Sequence, residues 1–201
     1  MKIVTIFGSP RKKGNSVTLT EAFLYEAEQR GAKVSRHHIG AQKVFGCICC
    51  EACKREHTSC VLQDDLTPIL HETFNADTVV IATPLYFLDM PAPCKAFIDR
   101  WYSFFNPEFY CRPDPSRLAP GKNIVFVVSQ GAQENQFNDF VQRYAMIFSM
   151  FGFKAPWLIR GADLGGPDAA SKRPDLLERA RYVGQMVMDG EPSDSVIKPY
   201  G

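Results

Sequence analysis

Residues suited to holding an anion gather in one stretch, Gly8-Ser9-Pro10-Arg11-Lys12-Lys13-Gly14-Asn15-Ser16. Ser9, Asn15 and Ser16 supply side-chain donors and Arg11 a charge, while small residues let the backbone N–H groups approach a phosphate closely. A second stretch concentrates sulfur. Cys47-x-x-Cys50-x-x-Cys53, six further residues and Cys60 place four thiols in one short segment, with Cys49 a fifth. That close spacing allows one loop to wrap three corners of an iron–sulfur cubane and return a fourth ligand from just beyond, as in bacterial ferredoxin loops. Free or redox-active thiols, zinc and disulfides are the alternatives, although zinc sites generally use two separated knuckles. His57 is expected to be an exposed loop histidine, and Cys94 and Cys111 to be packing residues.

The anion loop excludes two rivals by spacing. A Walker loop ends in Gly-Lys-Ser/Thr, whereas Gly14 is followed by Asn15; a dinucleotide fingerprint needs a glycine two residues after Gly8, where Pro10 stands. A plain tight turn from strand to helix is the bland reading of the same residues.

The elements that must position these loops follow from periodicity. Short β-branched runs alternate with stretches of helical spacing, the pattern of βαβ units. Strands are expected at Lys2 to Phe7, Lys33 to Ile39, Thr78 to Thr83, Asn123 to Ser129 and near 153–160. Helices are expected at 16–30, from a cap at Asp64-Asp65 through Phe74, from Pro93 through Phe104, and at roughly 135–150 and 170–188. Five strands and five helices in alternation predict an α/β three-layer sandwich, a doubly wound five-stranded parallel sheet of order 2-1-3-4-5. Such a sheet binds ligands where strand order reverses, at the carboxyl ends of strands one and three, and the anion loop leaves strand one there.

Composition fits one domain over 1–190, with a cysteine-rich loop at 46–63 and a loose tail at 191–201. Of 201 residues, 45% are hydrophobic and 22% charged, and Lys+Arg 23 against Asp+Glu 22 gives a net charge of +1. That balance and the absence of long charge blocks argue against nucleic-acid and membrane partners. The apolar start is too short for a signal peptide or a membrane span, so a cytoplasmic location is expected.

Three segments together carry a family resemblance: the loop Gly8 to Ser16, Thr83-Pro84-Leu85-Tyr86-Phe87, and Lys95-Ala96-Phe97-Ile98-Asp99-Arg100-Trp101. In this order they resemble the NADPH-dependent FMN reductase and iron–sulfur flavoprotein families of the flavodoxin-like superfamily. The resemblance covers residues 1 to about 130. It implies an FMN phosphate held by Ser9, Arg11, Gly14, Asn15 and Ser16, and a flavin ring against Pro84, Leu85, Tyr86 and Phe87. Backbone N–H groups of that proline-led turn would face the flavin N5 and O4 edge. Ser129-Gln130-Gly131-Ala132, leaving strand four at the same sheet edge, would close over the ring, with Ser129 and Gly131 the contacts. Without the anion loop, Tyr86 and Phe87 would read as ordinary packing at a sheet edge.

The resemblance also implies an oxidoreductase in which NAD(P)H reduces FMN and a quinone, another flavin or a small molecule accepts the electrons. Flavin carries such chemistry, so no catalytic acid or base is named. The alternative is an iron–sulfur flavoprotein that relays electrons between FMN, a 4Fe-4S cluster on Cys47, Cys50, Cys53 and Cys60, and protein partners; Cys49 departs from the usual glycine of that motif. A non-redox regulatory domain is the third reading. Lys95 and Asp99 are expected to form a solvated ion pair. A homodimer or tetramer is expected because the helix after Phe87 and the aromatic run Trp101 to Phe105 and on to Tyr110 read as exposed apolar surface.

Overall fold

The computed structural model describes residues 1–190; the expected tail at 191–201 lies outside them. Five strands, β1 (Lys2–Phe7), β2 (Lys33–His38), β3 (Thr78–Pro84), β4 (Asn123–Ser129) and β5 (Trp157–Gly161), form one sheet of order β2-β1-β3-β4-β5. Every neighbouring pair is parallel. The helices are α1 (Asn15–Gln29), α2 (Ala52–Arg55), α3 (Leu66–Asn75), α4 (Ala92–Arg100), α5 (Asn138–Met150) and α6 (Pro174–Asp189). None of them is long and apolar enough to cross a membrane.

The pleat of β3 shows how sequence generates the layers. Val79 and Ile81 point into a core with Leu66 and Ile69 of α3, Phe97 of α4 and Phe140, Tyr144 and Phe148 of α5. Val80 and Ala82 point the other way, into a core with Leu19 and Phe23 of α1 and Val183 and Val187 of α6. A strand covered on both faces is apolar through its middle, which is why Val79 to Ala82 of β3 read as an unbroken apolar run. β2 is only half-buried, as suits its edge position. Helices α1 and α6 cross at Gly184, where a Cβ would stand 2.7 Å from the Phe23 carbonyl oxygen.

Several boundaries move for identifiable reasons. Ile39 leaves β2 for a single 3-10 turn, Ile39–Ala41. Pro156 immediately precedes β5, which begins at Trp157 rather than near 153. The expected last helix splits into a 3-10 turn, Ala169–Lys172, and α6, because Pro174 lacks an N–H and disfavours helical backbone at Arg173. α5 starts at 138 because the Gln130 side-chain amide donates to the carbonyls of Ala132, Gln133 and Gln136 and holds that segment as a loop.

Three further expectations are corrected. Asp65 stands at the α3 N-cap but makes no side-chain cap bond; Asp64 Oδ1 accepts the Leu66 N–H instead. Cys111 is exposed rather than packed, while Cys94 is buried as expected. The first part of the aromatic run is core rather than surface: Trp101, Phe104 and Phe105 are buried and pack with Phe97, Phe148, Phe151 and Phe153. Tyr110, at the far end of the same connection, is exposed, so part of the surface from which self-association is argued remains. His57 is exposed, and Lys95 and Asp99 form an exposed i,i+4 ion pair.

Candidate functional site

At the carboxyl ends of β1, β3 and β4 lies a cleft of about 310 Å³. Its lining brings together Ser9, Arg11, Gly14, Asn15 and Ser16 from the first loop, Pro84, Leu85 and Tyr86 from the second, and Ser129, Gln130 and Gly131 from the third. Those three loops are far apart in sequence and meet because strand order reverses between β1 and β3. A fourth wall, Leu164 to Pro167, comes from the loop after β5. Sequence reasoning missed it, although Gly165-Gly166-Pro167 following a strand is itself a turn signal.

The floor is built for an anion. α1 begins at Gly14 with no side-chain cap, so the N–H groups of its first turn lack intrahelical acceptors and point outward. Ser16 is 1% exposed, and its Oγ is buried without a hydrogen-bond partner. A buried hydroxyl left unsatisfied beside an uncapped helix start fits a missing acceptor such as a phosphate oxygen. Ser9 Oγ accepts the Arg11 N–H at 3.1 Å and keeps its own O–H free to donate.

Asn15 lines the cleft and has a second task besides the one expected. Its Nδ2 donates to the Gly166 carbonyl at 2.7 Å and its Oδ1 accepts the Ala170 N–H at 2.9 Å. The side chain is therefore a strut between the start of α1 and the fourth wall. The proline-led turn also differs. The Leu85 N–H donates to the Ser129 carbonyl and the Tyr86 N–H to the Asp89 carbonyl, so neither is available to a flavin edge.

Tyr86 and Asp89 exchange both backbone bonds around Phe87 and Leu88, whose φ values are 46° and 72°. That is a two-residue hairpin of the I′ kind, built without the glycine it normally asks for, at a cost of about 1–3 kcal/mol per left-handed residue. Asp89 anchors it: Oδ1 accepts the Tyr144 hydroxyl at 2.8 Å and Oδ2 the Arg143 guanidinium at 3.2 Å. Burial, aided by this carboxylate, pushes the Tyr144 phenol up, so it remains a donor. The Phe87 side chain is fully exposed and is not among the cleft-lining residues.

The cysteine loop forms a separate pocket. Cys47, Cys49, Cys50, Cys53 and Cys60 all line one small cavity, closed behind by Leu62, Arg100 and Tyr102. Cys49 and Glu51 have left-handed backbone, φ 55° and 62°, which curls the chain around it. The Cys49 N–H donates to Cys47 Sγ at 3.4 Å. Lys54 Nζ lies 3.6 Å from Cys53 Sγ and donates to the carbonyls of Tyr102 and Phe105. Burial pushes the Cys53 thiol up while Lys54 pulls the other way. Among the described residues no three His, Cys, Asp or Glu side chains converge on one metal position. The donor set is nonetheless all sulfur and flanked by cations, with a backbone N–H on sulfur and an orphaned buried N–H on Arg100 Nε. That chemistry fits an anionic iron–sulfur group rather than a hard cation.

Comparison with known proteins supplies the family. A family model described as a flavodoxin-like fold, Flavodoxin_2, matches residues 1–182. An iron–sulfur flavoprotein of Archaeoglobus fulgidus is 39% identical over 100 residues, 50% of this chain and 45% of that protein, so the match spans about half the relative's length. An iron–sulfur flavoprotein of Methanocaldococcus jannaschii is 32% identical over 199 residues, covering 94% of this chain and 96% of the relative. The crystal structure of an FMN-dependent NADH-azoreductase from Bacillus anthracis in complex with FMN superposes with a TM-score of 0.72 at 14% identity. It covers 94% of this chain and 100% of that one, a likeness of fold. The sheet order, the cleft at its switch point, the family model over residues 1–182 and the M. jannaschii match over 94% of the chain agree: the chain belongs to the Flavodoxin_2 family of flavodoxin-like proteins.

Proposed function

We propose that this protein is an FMN-dependent oxidoreductase that is reduced by NAD(P)H and passes electrons to a quinone, a flavin or another small acceptor. One observation carries the reading: the orphaned Ser16 hydroxyl beside the uncapped start of α1, at the floor of a cleft walled by residues 84–86 and 129–131. The Ser16 and Ser9 hydroxyls and the first-turn N–H groups bind the phosphate, and Arg11 neutralises it from the rim. Pro84, Leu85 and Tyr86 form one wall for the ring, and Ser129, Gln130 and Gly131 face it. Asp89 and Tyr144 hold the hairpin that caps the first wall and limits water on that side. FMN, when bound, supplies a two-electron acceptor at its N5, which is why the chain needs no acid–base pair of its own. The B. anthracis structural neighbour, an FMN-dependent NADH-azoreductase, shares the fold that this assignment requires.

The test is purification followed by release and quantitation of flavin. About one FMN per chain, bleached anaerobically by NADH or NADPH and re-oxidised by a quinone, is expected. Colourless protein that binds no added FMN overturns the proposal.

A second reading rests on the five thiols that line one cavity and on the iron–sulfur names of the full-length and half-length relatives. Here the loop holds a 4Fe-4S cluster on Cys47, Cys50, Cys53 and Cys60 that exchanges electrons with FMN. Iron and sulfide analysis after anaerobic purification decides it: about four irons per chain supports the cluster, and Cys50→Ser should then abolish the iron while FMN stays. Self-association is a further proposal, resting on exposed Tyr110 and on the exposed Phe87 and Leu88 beside the cleft. Light scattering giving a monomer at micromolar concentration refutes it.

A further inference from the structure

The thiol pocket has a wall that no sulfur provides. Arg100, the last residue of α4, is 1% exposed, and its side chain is fully buried. Nη1 donates to Asp64 Oδ1 at 2.5 Å and Nη2 to the Leu62 carbonyl at 3.0 Å. The same Asp64 accepts the Phe45 N–H at 2.8 Å on Oδ2 and the Leu66 N–H at 3.0 Å on Oδ1. Phe45 lies just before the cysteine loop, and Leu62 and Leu66 bracket its end. One buried ion pair therefore gathers both ends of the loop onto α4.

Arg100 still has one nitrogen without a partner. Its Nε is buried with no partner, and the residue lines the cavity that the five thiols share. A buried guanidinium N–H without an acceptor is a costly omission unless an acceptor arrives. Lys54 is no substitute for it, because its ammonium already serves two carbonyls and the Cys53 sulfur. Of the cations around the loop, Arg117 is committed to the carbonyls of Thr58, Ser103 and Cys53 and does not line the thiol pocket.

We infer that Arg100 is the positioning residue of the thiol pocket: through Asp64 it closes the neck of the loop against α4, and its Nε–H is the hydrogen-bond donor to the anionic iron–sulfur group that the thiols hold. The inference rests on the second reading above. Hydrogen bonds to cluster sulfur stabilise the more negative, reduced state, so Arg100 raises the midpoint potential. The neck contact slows loss of iron independently of that effect.

Wild type, Arg100→Lys and Asp64→Asn are reconstituted anaerobically with ferrous iron and sulfide as full-length, FMN-loaded protein. Iron, sulfide and FMN per chain, iron release to a chelator and the midpoint potential are then measured. Lysine can still reach Asp64 but lacks the Nε–H, so Arg100→Lys should keep FMN, lower the midpoint potential and release iron at least tenfold faster. Asp64→Asn should speed release similarly with FMN retained. Iron release and potential in Arg100→Lys equal to wild type overturn the inference. So does joint loss of FMN and iron in both variants, which makes the pair a general structural element. Wild type that takes up no iron overturns the cluster reading itself, an outcome distinct from a cluster indifferent to Arg100.

Discussion

Gly40 touches no ligand, yet its substitution should loosen FMN. It sits in the 3-10 turn after β2 and presses on the anion loop. A Cβ there would stand 2.4 Å from the Ser9 carbonyl carbon, 2.5 Å from Pro10 N and 2.6 Å from the Gly8 carbonyl oxygen. All three are backbone atoms, so no flexible side chain can swing aside. Ordinary contact requires a retreat of roughly 1 Å. The Gly8 N–H is pinned to the Ala82 carbonyl at 2.9 Å, so the displacement falls on Ser9, Pro10 and Arg11. Moving a donor by that much forfeits one charge-assisted bond to phosphate, about 1.5–3 kcal/mol, or roughly 10- to 150-fold in affinity. The overpacking itself should lower stability by about 1–3 kcal/mol. The assay is FMN fluorescence quenching on apoprotein for Gly40→Ala, alongside thermal melting. Gly46→Ala is the control, because its Cβ would come no nearer than 4.0 Å to Ala96 Cβ. A Gly40→Ala protein that binds FMN within twofold of wild type refutes the reasoning.

Other outcomes follow from contacts already described. Asn15→Ala removes both bonds of the strut to Gly166 and Ala170, and should lower stability by about 1–3 kcal/mol, some 3–10 °C in melting temperature by calorimetry. Burial alone would raise the Asp64 carboxyl, but the Phe45 N–H and Arg100 guanidinium overcome that and hold it below the usual carboxylate range. Its stabilisation is therefore present above about pH 4 and is lost as pH falls through the lowered value. Asp64→Asn should be about 3–5 kcal/mol less stable at pH 7 and show a shallower acid decline, read from denaturant melts across pH. Burial pushes the Cys94 thiol up to about 12. Alkylation of apoprotein at pH 8, read by mass spectrometry, should mark exposed Cys47, Cys49, Cys50 and Cys111 and spare Cys94 until denaturant is added.

Sheet order and the three converging loops are legible because short continuous apolar runs and stretches of helical spacing alternate cleanly, and topology then dictates which loops meet. What stayed hidden depends on tertiary partners. Nothing local distinguishes an asparagine that only donates to a ligand from one that also braces two loops, so the strut role of Asn15 is visible only in the fold. The run Trp101 to Phe105 reads as exposed apolar surface from sequence, yet Phe151 and Phe153, fifty residues on, cover it. Asp64-Asp65 reads as a helix cap; only the fold reveals that Asp64 faces a buried arginine. Phe87-Leu88 carries none of the residues a left-handed turn prefers, and it is Asp89 that holds them there.

The cysteine loop is fastened to the rest of the molecule by cations bound to carbonyl oxygens. Lys54 grips Tyr102 and Phe105, Arg100 grips Leu62, and Arg117 grips Thr58, Ser103 and Cys53. Carbonyls belong to the main chain, so these grips do not read the side chains between them. The identity of residues 46–50 can thus change with little penalty to the sheet, provided the gripping cations and Asp64 persist. The fold carries a socket whose frame and filling are specified by different residues, and descendants of this chain could exchange the sulfur chemistry while leaving the flavin cleft as it stands.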